Sequence, residues 1–292
     1  MSIHIFRQIR TAIKHLNPEE VQRTAECPLK VGIVASSSSG YADIEEFLLP
    51  TNMAAERRTE LMHILYRLEN VDETDFNLVL YEQGLPCPAE AFTFFREDPV
   101  RTINEILEEK DELQLPLARS FFWFRKPAID AMVQKVAREN ALFAMATALP
   151  NIVPFILPLP WAVSEFASDT AFLTMNQIRL AFLIAASHNQ PIGYSQQKAQ
   201  IATIVAGAFG WRAIARELVG KIPMGRGLIP KGAVAYAGTY VIGKGLQRYH
   251  EVGYGYTPDE RGPAYEAAYE QGKGVASGII AESGRQPSRV LQ

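Results

Sequence analysis

Ser37, Ser38, Ser39 and Gly40 stand just after the apolar run Val31–Ala35, where a nucleotide-binding chain places its phosphate loop. Such a loop reads G-x-x-x-x-G-K-[ST]. Glycine lets backbone N–H groups curl round phosphate oxygens, lysine neutralises them, and the hydroxyl holds magnesium. Here Ala35 takes the place of the first glycine, Tyr41 that of the lysine and Ala42 that of the hydroxyl, so only Gly40 keeps its identity. The spacing of a phosphate site survives without its cation or its metal ligand, and magnesium-dependent nucleotide hydrolysis by that route is not expected. Weak anion binding by the amides of Ser37 to Gly40 remains open, because a helix start favours negative charge.

Two further stretches follow in the order of a small GTPase. Tyr81-Glu82-Gln83-Gly84, after what reads as the second strand, stands where D-x-x-G would reach metal and terminal phosphate, and retains Gly84 alone. Phe95-Arg96-Glu97-Asp98, after what reads as the third, stands where N-K-x-D would read guanine, and retains Asp98 alone. The three ordered remnants resemble a degenerate GTPase-like domain, with Ser37, Ser38, Ser39, Gly40 and Asp98 as candidate residues of any surviving anion site. The alternative is an ordinary α/β domain, in which serine-rich turns after the first strand are common. His4, His15, His63, His188 and His250 are scattered, and Cys27 and Cys87 lack metal-ligand spacing. No catalytic triad is placed either, so no catalytic residue, metal or cofactor is expected.

The elements that hold these residues change character near residue 126. Before that point, short apolar runs at 31–35, 76–81 and 91–95 alternate with helical patterns near 36–49, 53–68 and 99–110, and a weaker strand is placed near Leu113 to Leu117. Alternation of this kind predicts a small, mostly parallel sheet. From Pro127 onward helical periods take over, at roughly 127–148, 161–187, 195–208, 210–220 and 230–249. The expected organisation is N-terminal helices over 1–28, an α/β domain over 29–125, an all-α domain over 126–250 and a disordered tail over 251–292 with a short helix at Pro263 to Gln271.

Charge divides along the same line. Residues 1–125 hold 13 Lys/Arg against 21 Asp/Glu, whereas residues 126–250 hold 12 against 5. A basic half either docks on the acidic one or meets anionic lipid or another polyanion. The first sixteen residues form an amphipathic helix interrupted by Arg7, Arg10 and Lys14, which gives no signal-peptide core and implies the cytoplasmic side. Its stripe of Ile5, Phe6, Ile9, Ile13 and Leu16 packs on the protein or lies on a membrane.

The 25 residues from Asn140 to Ser164 carry no charge, a length that would suit a membrane span. Pro150, Pro154, Pro158 and Pro160 rule out one straight crossing helix. A broken hairpin tip fits better, with Phe155, Ile156, Leu157 and Trp161 as candidate contacts to a membrane or a partner, or as filling of the protein's own core.

The helical half resembles the bacterial domain of unknown function number 697, found alone in YcjF-type membrane proteins and fused behind Era-like GTPase domains. The resemblance rests on Ala141 to Pro154, Thr174-Met175-Asn176-Gln177, Phe209 to Arg216 and Pro230 to Thr239. It implies a helical, membrane-associated module without assigned catalytic residues, and the N-terminal half is similar to the GTPase domain of the fused members. The expected function is a non-catalytic pseudo-GTPase with a helical membrane-associated domain, acting as a scaffold or regulatory module at the inner membrane. Its expected partner is the membrane surface or an inner-membrane protein, with homo-oligomers open and no nucleic acid. Two alternatives stand beside it: a nucleotide-binding switch or weak NTPase with an unusual loop, and a soluble protein-interaction module.

Overall fold

A computed structural model describes residues 2–13, 16–68, 75–147, 169–207 and 227–284, with side chains from Gln8 onward. The chain divides into two compact units: residues 20–130 with 186–190, and residues 1–19, 131–185 and 191–292.

The first unit holds a four-stranded sheet in the order β2-β1-β3-β4, with every neighbouring pair parallel. Its strands are β1 (Val31–Val34), β2 (Leu65–Arg67), β3 (Leu78–Glu82) and β4 (Phe92–Phe94). Val31, Ile33, Leu78 and Leu80 are buried, as central parallel strands covered on both faces require. Helix α3 (Ser38–Leu48) packs on β1 and β3, and its Phe47 ring lies 4.9 Å from Phe94 of β4. This unit also contains α4 (Ala55–Met62), α5 (Pro99–Glu109) and α6 (Gln114–Ser120), together with most of α2 (Pro18–Ala25).

Several sequence expectations are corrected here. The helix expected over 53–68 ends at Met62, and Leu65–Arg67 form β2, a three-residue strand that exists through its pairing with β1. The weak strand expected near Leu113 to Leu117 is instead a helical turn leading into α6, with Leu115, Pro116 and Leu117 buried. Because β2 precedes them, Leu78–Glu82 and Phe92–Phe94 are the third and fourth strands. Tyr81 and Glu82 therefore end the third strand, with Gln83 and Gly84 in the turn after it, and Phe95–Asp98 follows the fourth. The sequence after the second strand runs into 69–74, outside the described residues.

In the second unit the described residues form helices and turns alone. α1 (Ser2–Ile13) buries Ile9 and Ala12 against Phe143 and Phe172, whose rings stack 3.8 Å apart. The Tyr194 hydroxyl bonds the carbonyls of Ile13 and Leu16, at 2.7 and 2.8 Å, and ties down the end of α1. At Ile9, Ala12, Ile13 and Leu16 the chain thus packs on its own unit. α7 (Phe122–Ala146) crosses from one unit into the other and starts before the expected Pro127. It is followed by α8 (Asp169–Ser187), α9 (helical over 198–207), α10 (Leu228–Val252) and α11 (Pro258–Gly284). The helix expected at 210–220 lies outside the described residues.

The short helix expected at Pro263 to Gln271 is present but far longer, and corrects the disorder expected around it: α11 is a 27-residue helix lying along α10. Its face of Tyr265, Ala268, Tyr269, Gly272, Ala276 and Ile279 recurs every three or four residues and fits the small residues Gly232, Ala233 and Ala237 of α10. Small side chains on both helices allow close approach. Gly253, with φ +88°, ends α10 in the left-handed conformation that favours glycine.

A buried polar network joins three of these helices. The Asn140 side chain donates to Thr239 Oγ1 at 2.7 Å, and Asn176 donates to Asn140 Oδ1 at 2.8 Å. Gln177 donates to the same Thr239 oxygen at 3.2 Å, while Thr239 donates to the Ala235 carbonyl at 2.9 Å. Asn140 and Thr239 are fully buried, so the register of α7, α8 and α10 is fixed by pairing demands as well as by apolar area.

Candidate functional site

In open α/β sheets ligands bind beyond the carboxyl ends of the strands, where the strand order reverses. Here β2 lies on one side of β1 and β3 on the other, so that position is the crevice after β1 and β3. The residues there are Ser36 to Gly40 from the first strand's exit and Glu82 from the third's.

Ser37 is the N-cap of α3. Its backbone is extended, and its hydroxyl oxygen accepts from the Gly40 amide at 3.0 Å. That hydroxyl is engaged in holding the helix start, a common use of serine at this position. Ser38 and Ser39 are exposed in the first turn, whereas Gly40 is buried.

Glu82 fills the space in front of that turn. Its Oε2 accepts from the Ser36 amide and the Ser36 hydroxyl, both at 2.7 Å. A Cβ placed on Gly40 would collide with the Glu82 carboxyl group, so the glycine makes room for the carboxylate. The hydroxyl bond and then the amide bond from Ser36 hold the Glu82 carboxyl below the usual carboxylate range, against a smaller opposing effect of desolvation. An anion belonging to the chain itself thus occupies the place where a phosphate loop would present its amides.

Tyr41, at the lysine position, lies beneath Arg67, whose guanidinium carbon is 5.5 Å from the ring centre. Burial and the charge of Glu45 push the Tyr41 phenol up, and Arg67 partly offsets them. A cation does lie beside position 41, but it comes from β2 and sits on an aromatic face.

Asp98 has a structural role. It caps α5, its carboxylate accepting from the Arg101 amide at 3.3 Å, with Pro99 in the first turn. Asp98 and the Ser37–Gly40 turn therefore serve two different helix starts. Next to Asp98, Arg96 pairs with Asp43 at 2.8 Å, and buried Thr102 accepts from the Phe95 amide at 2.9 Å.

No family model matches the chain, and no curated protein or solved structure matches it. The chemistry of the crevice therefore follows from its own atoms. A carboxylate, a serine and a capped helix start make an internal anion contact, and the described positions of the turn carry Tyr41 and Ala42 where a phosphate loop has its lysine and its metal-binding hydroxyl. No cluster of metal-ligating side chains occurs among the described residues.

At the other end of the strands an open groove of about 680 Å³ is lined by Glu20, Arg23, Phe76, Asn77, Lys110 and Glu112 among others. Its two acids and two bases balance, and it lies away from the crevice where such sheets bind ligands.

The tip residues Phe155, Ile156, Leu157 and Trp161 lie outside the described residues. The chain on either side of 148–168 is joined by one cation, since Lys231 Nζ lies 2.7 Å from Asp169 Oδ2 and donates to Thr147 Oγ1 at 3.0 Å. Among the described residues, no helix is long and apolar enough to cross a membrane.

Two residues of the crevice escape a reading of the sequence. Glu82 stands inside a stretch that compares with a metal-binding element, and no spacing rule pairs it with Ser36, 46 positions earlier. Arg67 falls within the helix expected over 53–68.

Proposed function

We propose that this chain is a non-catalytic scaffold or regulatory binding module: a degenerate GTPase-like α/β domain followed by a helical, membrane-associated domain. The observation that carries the first half is the Glu82 carboxylate on the Ser36 amide and hydroxyl at 2.7 Å. A phosphate entering that crevice would meet a fixed negative charge, with tyrosine at position 41 in place of the lysine that would neutralise it. GTPase-like ancestry is supported by the β1–turn–α3 unit and the strand order, which is a doubly wound one. A fold of this kind hosts many functions, so the activity is argued from the crevice alone.

Membrane association at the cytoplasmic face of the inner membrane is supported by the uncharged run 140–164 and by the excess of Lys and Arg over 126–250. The contact is made with the lipid surface or with an inner-membrane protein. Expression of the full chain in a bacterium, followed by membrane isolation, a high-salt wash and an alkaline wash, tests this half. Retention through both washes is expected if the tip inserts. Recovery wholly in the soluble fraction contradicts membrane association.

A further inference from the structure

Phe122 and Trp123 open α7 with 56% and 50% of their surface exposed, their rings edge to face 5.3 Å apart. Two large aromatics side by side at a surface mark a contact site more often than a scattered apolar residue does. Next to them, Arg125 is half-buried. Its Nε donates to the Ala118 carbonyl at 3.4 Å, and its guanidinium carbon lies 5.9 Å from the Phe122 ring centre. Burial and the neighbouring charge of Arg57 push the Arg125 guanidinium below its ordinary value.

The nearby cations are already neutralised. Lys126 pairs with Asp130 at 2.9 Å, Arg57 with Glu60 at 2.7 Å and Arg119 with Glu26 at 3.2 Å. Among the described residues no carboxylate pairs with Arg125. A lipid-binding surface sums many unpaired exposed cations. Among the described residues this patch offers one guanidinium without a carboxylate, beside the Phe122 ring that itself meets Trp123, the composition of a protein-interface hot spot. Guanidinium also matches carboxylate geometry with two parallel bonds.

We propose that Phe122, Trp123 and Arg125 form a docking site for a protein segment bearing one carboxylate flanked by apolar side chains. The carboxylate meets Arg125, and the apolar flanks cover the aromatic pair. This rests on the reading of the chain as a binding module, but it involves neither Ser36 nor Glu82. Nucleotide binding at the crevice would overturn the non-catalytic reading and leave this surface intact.

The test selects short random peptides displayed on phage against the full chain and titrates the synthetic winners by fluorescence polarisation. The expected winners carry one Asp or Glu beside apolar residues. Exchanging that acid for its amide weakens binding at least tenfold, and so does Trp123→Ser, which alters an exposed side chain and leaves the core untouched. Winners indifferent to amide exchange, or a selection yielding nothing that depends on Trp123, overturn the proposal. So does Trp123-dependent cosedimentation with phosphatidylcholine–phosphatidylglycerol vesicles, or Trp123-dependent self-association in sedimentation velocity.

Discussion

Glu82 and Ser36 tie the exits of β3 and β1 together through a single carboxylate oxygen, which accepts from both the amide and the hydroxyl of Ser36. These bonds hold the Glu82 carboxyl below the usual carboxylate range. A lowered folded-state pKa gives stability that is present above the unfolded value and lost as pH falls through the folded one. Glu82→Gln is therefore expected to melt below the native chain at pH 7, with the gap closing as pH drops through the low carboxylate range. Circular-dichroism melts over a pH series check this, and a gap independent of pH would contradict it.

Gly40 lies in α3, where alanine would normally add about 0.5–1 kcal/mol of helix stability. Its missing Cβ leaves room for the Glu82 carboxyl group. Gly40→Ala should therefore give its full helix gain only in a Glu82→Ala background. In the native background it displaces the carboxylate and loses the Ser36 bonds. Chemical denaturation of both singles and the double should reveal this coupling, and additive effects would refute the contact.

On α11, Gly272 meets backbone. An added Cβ would lie 2.9 Å from the Ala233 carbonyl oxygen and 3.0 Å from its Cα. Gly272→Ala must push α11 away from α10, at a cost of roughly 1–3 kcal/mol. Exposed Gly274, two positions on, has nothing within 4 Å of the same atom, so Gly274→Ala should stabilise by about 0.5–1 kcal/mol. Opposite signs in urea melts of the two variants are the expected result.

Asn140 serves Thr239 and Asn176 at once in a fully buried position. Asn140→Ala takes away the acceptor of the Asn176 amide while Thr239 keeps Gln177 and the Ala235 carbonyl, and is expected to destabilise the helical unit by roughly 1–3 kcal/mol. Hydrogen exchange should show faster opening of α7, α8 and α10. An effect below about 0.5 kcal/mol would mean that the partners re-pair locally.

The legible parts of this fold are those whose pattern is local. Val31–Val34 announces itself as an apolar run before a serine turn, and Asp98-Pro99 as a helix start. Leu65-Tyr66-Arg67 has no alternation long enough to read, and becomes a strand only because β1 supplies the partner backbone. Missing it also shifts the order of the later strands. Of α11 only the stretch Pro263 to Gln271 is legible as a helix; its remainder is hidden by glycines and serines, although the spacing of Tyr265, Ala268, Gly272, Ala276 and Ile279 is helical and fits the small residues of α10. Of the candidate site, the serine turn at a helix start is visible in the sequence, whereas the capping roles of Ser37 and Asp98 come from the structure. The Glu82 contact is not, since it joins residues 46 apart through a sheet order that no local pattern encodes.

On the proposed reading the crevice holds the chain's own carboxylate, Glu82, in place of a nucleotide. Isothermal titration of magnesium-GTP, GDP and magnesium-ATP into the full-length chain tests it most directly. The expected result is no saturable heat at ligand concentrations up to the millimolar range, for any of the three. Saturable binding that is weakened by Ser38→Ala with Ser39→Ala would contradict the account and identify a nucleotide switch.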